Sequence, residues 1–196
     1  MKLENVKVGF GITGSFCNFS DIEKLIENLK IEGVETIIPI ISYSVQNEQN
    51  RFSTPKEYIA KLEEMTGNKV IDTLSKAEPV GPSNLIDVML ITPCTGNTLA
   101  KMANSITDTP VLMVSKSHIR NDKPLVVGIS TNDALGGNAK NIGLLLNSKN
   151  IYFIPFRQDD YIKKPKSLVY DYTKTADTIV EAMKGKQIQP ILGWFK

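Results

Sequence analysis

Short apolar runs alternate with amphipathic stretches along almost the whole chain, and this alternation constrains the fold more than any other feature. We predict strands at 6–10, 36–41, 88–91, 111–114, 125–129 and 151–155. Between them, apolar residues recur at helical spacing, as at Ile22, Leu25 and Leu29. Strands that alternate with helices are typical of a parallel sheet covered on both faces. We therefore predict a doubly wound, mostly parallel, Rossmann-like α/β sheet of about six strands.

Length and charge favour one globular domain that acts on small molecules. Of 196 residues, 41% are hydrophobic and 22% are charged, and the 23 Lys and Arg nearly balance the 21 Asp and Glu. The net charge of +2 indicates neither nucleic-acid nor membrane-surface binding. Charges interrupt the first residues and no apolar run reaches spanning length, which predicts a cytoplasmic location. We expect a single domain over 1–196, with a mobile loop at 44–53 and a C-terminal tail at 186–196.

The nitrogen and sulfur ligands that bind transition metals, histidine and cysteine, are sparse. Cys17 and Cys94 are the two cysteines and His118 is the one histidine, and none of them has metal-ligand or redox-pair spacing. We predict free thiols in a reducing compartment and no metal site. For His118 we predict a surface or structural role rather than a catalytic one.

The first predicted strand ends in a glycine-rich turn. Gly11 and Gly14 allow close backbone approach to a ligand, and the hydroxyls of Thr13 and Ser15 can donate to phosphate oxygens. A helix that starts there would add a positive dipole end. The dinucleotide motif would need another glycine and an acidic residue after the second strand, where Ser42 stands. This departure favours a mononucleotide phosphate, with FMN as the candidate; the alternative is a structural turn without a ligand.

A second polar turn lies where the strand at 88–91 leads into a helix. The amide of Asn97 can donate to and accept from the edge of a heteroaromatic ring, or it can simply cap that helix. In a doubly wound sheet, ligands bind at the carboxyl ends of strands where the strand order reverses, so we expect the two turns to face each other. The predicted cofactor-binding residues are Gly11, Thr13, Gly14, Ser15, Ser42, Thr95, Gly96, Asn97, Thr98 and Ser115.

Basic residues provide candidate carboxylate anchors, because guanidinium and ammonium groups pair with carboxylates. Lys116, Arg120 and Lys123 cluster between two predicted strands, although charges on a loop are usually only solvated. The predicted substrate-binding residues are Arg51, Lys116, Arg120 and Asn132. The sequence names no catalytic residue.

Together, the two turns resemble the flavoprotein family that includes phosphopantothenoylcysteine decarboxylase and the flavin prenyltransferases. The turn at 11–15 looks like its flavin-phosphate loop, and 93–101 resembles its Pro-x-Ser/Thr-Ala-Asn-Thr segment. Within that family, further segments are similar to the B subunits of dipicolinate synthase: 42–47, 59–68, 128–136, 150–156, 158–160 and 185–187.

This resemblance implies an oxidoreductase subunit that works with a dipicolinate synthase A subunit to oxidise dihydrodipicolinate, a small dicarboxylate, to dipicolinate in sporulating bacteria. It also implies FMN on this chain, NADP(H) on the A subunit, and a trimer-based homo-oligomer to which the aromatic residues at 194–195 could contribute a contact. An autonomous FMN-dependent decarboxylase or prenyltransferase, and a non-catalytic scaffold subunit with a vestigial flavin site, are the alternatives. The family's decarboxylases use a histidine and a cysteine that this chain lacks before His118 and after Cys94, so we predict no decarboxylase activity.

Overall fold

The computed structural model describes residues 2–15, 19–48 and 54–193, with the side chains of residues 19 and 20 excepted. Seven strands lie in these ranges: β1 (Lys7–Ile12), β2 (Thr36–Ile41), β3 (Val88–Cys94), β4 (Leu125–Thr131), β5 (Ile151–Phe153), β6 (Phe156–Gln158) and β7 (Leu168–Tyr170). The eight α-helices of the same ranges are α1 (Phe19–Ile31), α2 (Tyr43–Asn47), α3 (Pro55–Thr66), α4 (Leu74–Ala77), α5 (Gly96–Ala103), α6 (Pro110–Arg120), α7 (Ala139–Leu146) and α8 (Thr175–Met183). Short 3-10 helices lie at Glu78–Val80 and Tyr172–Lys174.

The strands form one mixed sheet in the order β2-β1-β3-β4-β7-β6, with β5 paired to the first half of β4. The first five strands pair in parallel, whereas β7 runs antiparallel to both β4 and β6. From β1 the chain moves outward to β2 and then returns to β3 on the other side of β1. The strand order therefore reverses between β1 and β3, which confirms the doubly wound prediction. The β6–β7 hairpin is an addition that the apolar pattern did not predict.

Two hydrophobic layers hold helices on the two faces of the sheet. One layer packs α1, α3 and α8 against one face, and the other packs α5, α6 and α7 against the opposite face. Every residue of β3 is buried, as its continuous apolar run predicts for a central strand. Pro39 lies in the edge strand β2, where its missing amide hydrogen is tolerated. Among the residues that the structure describes, no helix is both long and apolar enough to cross a bilayer.

The strand predicted at 111–114 is wrong, because this segment forms the first turns of α6. Thr109 caps the helix by accepting a hydrogen bond from the amide of Leu112 at 3.3 Å, and Pro110 occupies the first helical position. Buried residues then continue at helical spacing through Val111, Val114 and His118. A run of four apolar residues is ambiguous between strand and helix, and here the capping residues decide.

Other predicted boundaries also shift. The loop predicted at 44–53 begins with a short helix, α2, whose Val45 is buried, and residues 49–53 lie outside the described residues. The apolar spacing in 132–148 predicts a helix, but α7 starts only at Ala139, after seven residues of turns that include Gly136 and Gly137. The last predicted strand divides into β5 and β6 around Pro155. The predicted C-terminal tail is described to residue 193, so the aromatic residues at 194–195 lie outside the described residues.

Candidate functional site

The turns after β1 and β3 are joined through one buried hydroxyl. Thr13 Oγ1 donates a hydrogen bond to the Pro93 carbonyl at 2.7 Å and accepts one from the Thr95 amide at 3.0 Å. Its side chain is 1% exposed, so this hydroxyl holds the two turns together instead of facing a ligand. The predicted meeting of the two turns at the reversal of strand order is therefore confirmed.

A cleft of about 470 Å³ opens beside these turns at the carboxyl ends of the strands. Gly14, Ser15 and Thr95 line one side of it, and the turn that follows β4 lines its floor. The β6–β7 hairpin forms the opposite side. The described lining residues are Gly14, Ser15, Thr95, Ser130, Thr131, Asn132, Asp133, Asp159, Lys164, Ser167, Leu168 and Val169. Hydroxyl groups predominate among the polar atoms, so the cleft offers neutral hydrogen-bond donors and acceptors rather than a dense charge.

Hydrogen bonds within the cleft fix the floor relative to its neighbours. The hydroxyls of Ser15 and Ser130 lie 2.8 Å apart, which ties the β1 turn to the end of β4. Thr131 Oγ1 donates to Asp133 at 2.6 Å, and Asn138 Nδ2 donates to the same carboxylate at 2.8 Å. The hydrogen bond from Thr131 is the main cause that lowers the pKa of Asp133, so this side chain stays an anion that orders the turn.

Gly96 is required where α5 meets this turn. A Cβ atom at Gly96 would lie 2.5 Å from Asn138 Nδ2, 2.7 Å from Thr131 Oγ1 and 2.8 Å from Asp133 Oδ1. Real Cβ atoms do not approach so closely, so a side chain here would displace the hydrogen-bonded turn. Gly96, which was predicted to bind the cofactor, therefore serves protein packing and does not line the cleft.

The N-terminus of α5 contributes donors close to the cleft. Thr95 caps the helix through the amide of Thr98, and the hydroxyls of these two residues lie 3.2 Å apart. The amides of Gly96 and Asn97 have no acceptor among the described residues, as is usual for the first turn of a helix. With the positive end of the helix dipole, they form a weakly positive rim. The Asn97 side chain is exposed and does not line the cleft.

Gly11, Ser42 and Thr98, which were also predicted to bind the cofactor, lie outside the cleft lining. Gly11 is inside β1, where an added Cβ would lie 2.8 Å from the Met89 side chain and 3.1 Å from that of Val111. Its small size therefore lets the strand pack beneath α6. Ser42 precedes α2 at the end of β2, and its hydroxyl lies 3.0 Å from that of Ser44.

Ser115, Lys116 and Arg120 line a different cavity, of about 270 Å³, between α5 and α6. Ser115 Oγ donates to the Val111 carbonyl of its own helix at 2.6 Å. Lys116 and Arg120 are exposed at a mostly apolar groove and form no ion pair with a described residue. The structure thus separates these residues from the strand-end cleft, because the segment before them is helix instead of strand. Of the other predicted substrate-binding residues, Asn132 lines the cleft, and Arg51 lies outside the described residues.

Cys94 and His118 are packed in the protein interior, and Cys17 lies outside the described residues. Cys94 is fully buried, and burial raises the pKa of its thiol. His118 is 3% exposed at the end of α6, and burial lowers its pKa to about 4. The described ranges contain no group of three or more His, Cys, Asp or Glu arranged to hold a metal ion.

Sequence reasoning missed the hairpin side of the cleft. Asp159, Lys164 and Ser167 come from a segment with no helical or strand period, and only the pairing of β7 with β4 brings them to the strand ends. The floor of the cleft is easier to predict from the sequence, because polar residues at 130–133 directly follow the apolar strand β4.

The sequence profile of the Flavoprotein family matches residues 1–184. The B subunit of dipicolinate synthase from Bacillus subtilis (strain 168) is 46% identical over 190 residues, which cover 97% of this chain and 94% of that protein. The crystal structure of the corresponding B subunit from Bacillus halodurans is 44% identical, with a TM-score of 0.90 over 99% of each chain. An FMN-dependent cysteine decarboxylase, SpaF, shares the fold at 18% identity, with a TM-score of 0.67 over 91% of this chain and 95% of its own. The predicted resemblance is thus confirmed by sequence and by fold, and the chain belongs to the Flavoprotein family.

Proposed function

We propose that this chain is the B subunit of a dipicolinate synthase, which acts with an A subunit to oxidise dihydrodipicolinate to dipicolinate in the cytoplasm of sporulating bacteria. The observation that carries the proposal is the strand-end cleft, which opens beside the β1 and β3 turns that Thr13 joins. The 46% identity to the B subunit of a dipicolinate synthase, over nearly the whole chain, supports the assignment of this cleft to that reaction.

The residues of the cleft fit a flavin mononucleotide. The volume of about 470 Å³ lies within the range of about 300–1,000 Å³ usual for cofactor sites. Gly14, the Ser15 hydroxyl and the first amides of α5 suit a phosphate group, because they combine donors with a positive dipole end. Thr131 and Asn132 offer hydroxyl and amide groups to a polar ring edge. A bound flavin would supply a planar, redox-active ring.

The protein groups contribute positioning and charge. Oxidation of the dihydro ring removes one hydride and one proton, and we propose that the hydride leaves to NADP⁺ on the A subunit while the proton passes to solvent. Aromatisation of the ring provides the driving force. The fixed Asp133 carboxylate and the surrounding hydroxyls keep the floor of the cleft rigid, so a ring bound there is held in one orientation.

Reconstitution tests this proposal. The purified chain and an A subunit are combined with dihydrodipicolinate and NADP⁺, and dipicolinate is followed by its ultraviolet absorbance. We expect product only when both subunits are present, together with co-purification of the two chains. Equal product formation without this chain would refute the proposal.

The buried thiol gives no support to an autonomous decarboxylase. Cys94 has no exposed surface, so its thiol cannot reach a substrate in the described structure. We expect no decarboxylation of an aminoacylcysteine-type substrate by the purified, FMN-supplemented chain. Carbon dioxide release from such a substrate would favour the alternative function.

We also propose that the chain forms a trimer-based homo-oligomer. Light scattering at micromolar concentration tests this oligomeric state, and a monomer would contradict it.

A further inference from the structure

The strand-end cleft contains few charges, and they are unevenly distributed. Asp133 and Asp159 are its described carboxylates, and Lys164 is the one cationic side chain among its described lining residues. Asp133 is occupied by Thr131 and Asn138, so it is not available to balance or hold a ligand. Among the described lining residues, an anionic ligand therefore has one ammonium group to pair with.

Lys164 is positioned by the fold of its loop. Its amide donates to the Asp160 carbonyl at 2.7 Å, and its carbonyl accepts from the Ser167 amide at 3.0 Å. The loop is fastened to the floor of the cleft by the Leu135 amide, which donates to the Lys166 carbonyl at 3.0 Å. The base of the hairpin is held by the pairing of β7 with β4. The backbone thus fixes the root of the lysine at the edge of the cleft.

Asp159 keeps the ammonium group at the cleft in the ligand-free chain. Lys164 Nζ lies 3.1 Å from Asp159 Oδ2, and both side chains are about half exposed, at 54% and 42%. Ion pairs with this exposure are weak because water screens them, so an entering carboxylate can replace Asp159 at little cost. The ion pair with Asp159 therefore holds the lysine near the site.

We propose that Lys164 is the carboxylate anchor of the strand-end cleft and that Asp159 holds it in position until a substrate carboxylate takes its place. This inference rests on the proposed function, because it names the residue that recognises a pyridine dicarboxylate. A flavin phosphate would use the same chemistry. The location favours the carboxylate, since the hairpin lies on the side of the cleft opposite the Gly14–Ser15 turn and the first amides of α5.

Calorimetric titration of the full chain with FMN present tests the anchor, using dipicolinate and its neutral analogue pyridine-2,6-dicarboxamide as probes. We expect Lys164→Gln to weaken dipicolinate binding by about 10-fold, the usual size of one hydrogen bond to a charged group, and to leave the dicarboxamide within about twofold. Asp159→Asn should tighten dipicolinate binding by about two- to fivefold, because the competing ion pair is lost. Lys163→Gln is the matched control, since Lys163 is on the same loop but does not line the cleft.

Several outcomes would overturn the anchor. Equal effects of Lys164→Gln and Lys163→Gln on dipicolinate would do so, as would a wild-type chain that binds dipicolinate no better than the dicarboxamide. Parallel titrations with FMN and riboflavin identify the other source: if Lys164→Gln lowers only the preference for FMN over riboflavin, the lysine binds the flavin phosphate. Failure of the proposed function is distinct, because the reconstituted complex would then form no dipicolinate although the Lys164-dependent preference for the dicarboxylate persists.

Discussion

The strand-end cleft and the α5–α6 cavity both contain residues that the sequence predicted for binding, but they hold these residues differently. In the cleft, Thr131 and Asn138 are bonded to Asp133 at 2.6 and 2.8 Å, and Ser15 lies 2.8 Å from Ser130. In the α5–α6 cavity the cations are exposed on one helix above an apolar groove. A cross-linked set of polar groups at strand ends is preorganised for a ligand, whereas isolated surface cations are mainly solvated.

Gly96→Ala should have the largest effect on stability and on FMN binding, because it disturbs the hydrogen-bonded turn after β4 that lines the cleft. The added methyl group overlaps Asn138, Thr131 and Asp133, so we expect a loss of about 3 kcal/mol in the free energy of unfolding, at the upper end for overpacking. FMN binding should weaken by at least about 10-fold, since the turn that lines the cleft is displaced. Urea unfolding and an FMN titration measure the two effects.

Gly143→Ala is the matched control for Gly96→Ala. Gly143 is exposed on α7 with no atom within 4 Å of an added Cβ, so alanine there should stabilise the helix by about 0.5–1 kcal/mol. If the two alanine variants unfold and bind FMN alike, the junction at Gly96 is not what organises the cleft.

Thr13→Val should have the second largest effect. Valine keeps the shape of threonine but leaves the Pro93 carbonyl and the Thr95 amide without their partner, at a cost of about 2 kcal/mol in unfolding free energy. FMN affinity should fall as well, because the two turns are no longer joined. Thr13→Ser retains the hydroxyl and should preserve FMN affinity. Equal FMN affinity in the valine and serine variants would show that the hydroxyl link is unimportant.

His118→Gln should have a smaller effect on the free energy of unfolding, and this effect should depend on pH. Such a dependence would show that His118 has a structural role at the end of α6. Its pKa is lowered from 6.5 to about 4 by burial, with a further contribution from Lys123, so the unfolded chain takes up a proton on acidification before the folded chain does. The wild type should therefore lose about 1 kcal/mol of stability per pH unit relative to His118→Gln as the pH falls from 6.5 towards 4. A constant difference in unfolding free energy across that interval would contradict the buried neutral histidine.

The smallest effect is expected in the α5–α6 cavity. The double variant Lys116→Gln and Arg120→Gln should change FMN and dipicolinate binding by less than about twofold, because neither side chain lines the cleft. The same titrations measure this variant. A large loss of binding would reverse the comparison between the two regions.

The positions of helices and strands could be predicted from the sequence where local patterns agree with the topology of the sheet. The apolar run of β3, the capping box of Thr54 with Glu57 on α3, and Pro39 on the edge strand each specify their place by backbone chemistry. The prediction failed at Val111–Val114, where four apolar residues suit a strand as well as a helix. That error moved Lys116 and Arg120 from a helix to a loop and made them anchor candidates.

The hairpin side of the cleft was beyond sequence reasoning for a different reason. Asp159 and Lys164 reach the cleft through the antiparallel pairing of Ser130 with Val169, which joins segments almost forty residues apart. Short strands of three residues leave no measurable period, so their register depends on tertiary packing.

An experimental structure of the chain with FMN bound is the most direct test of the strand-end cleft as the flavin site. We expect the flavin in this cleft, with its phosphate at Gly14, Ser15 and the first amides of α5 and its ring towards the turn after β4. A flavin bound in the α5–α6 cavity, or no flavin at saturating FMN, would contradict this assignment.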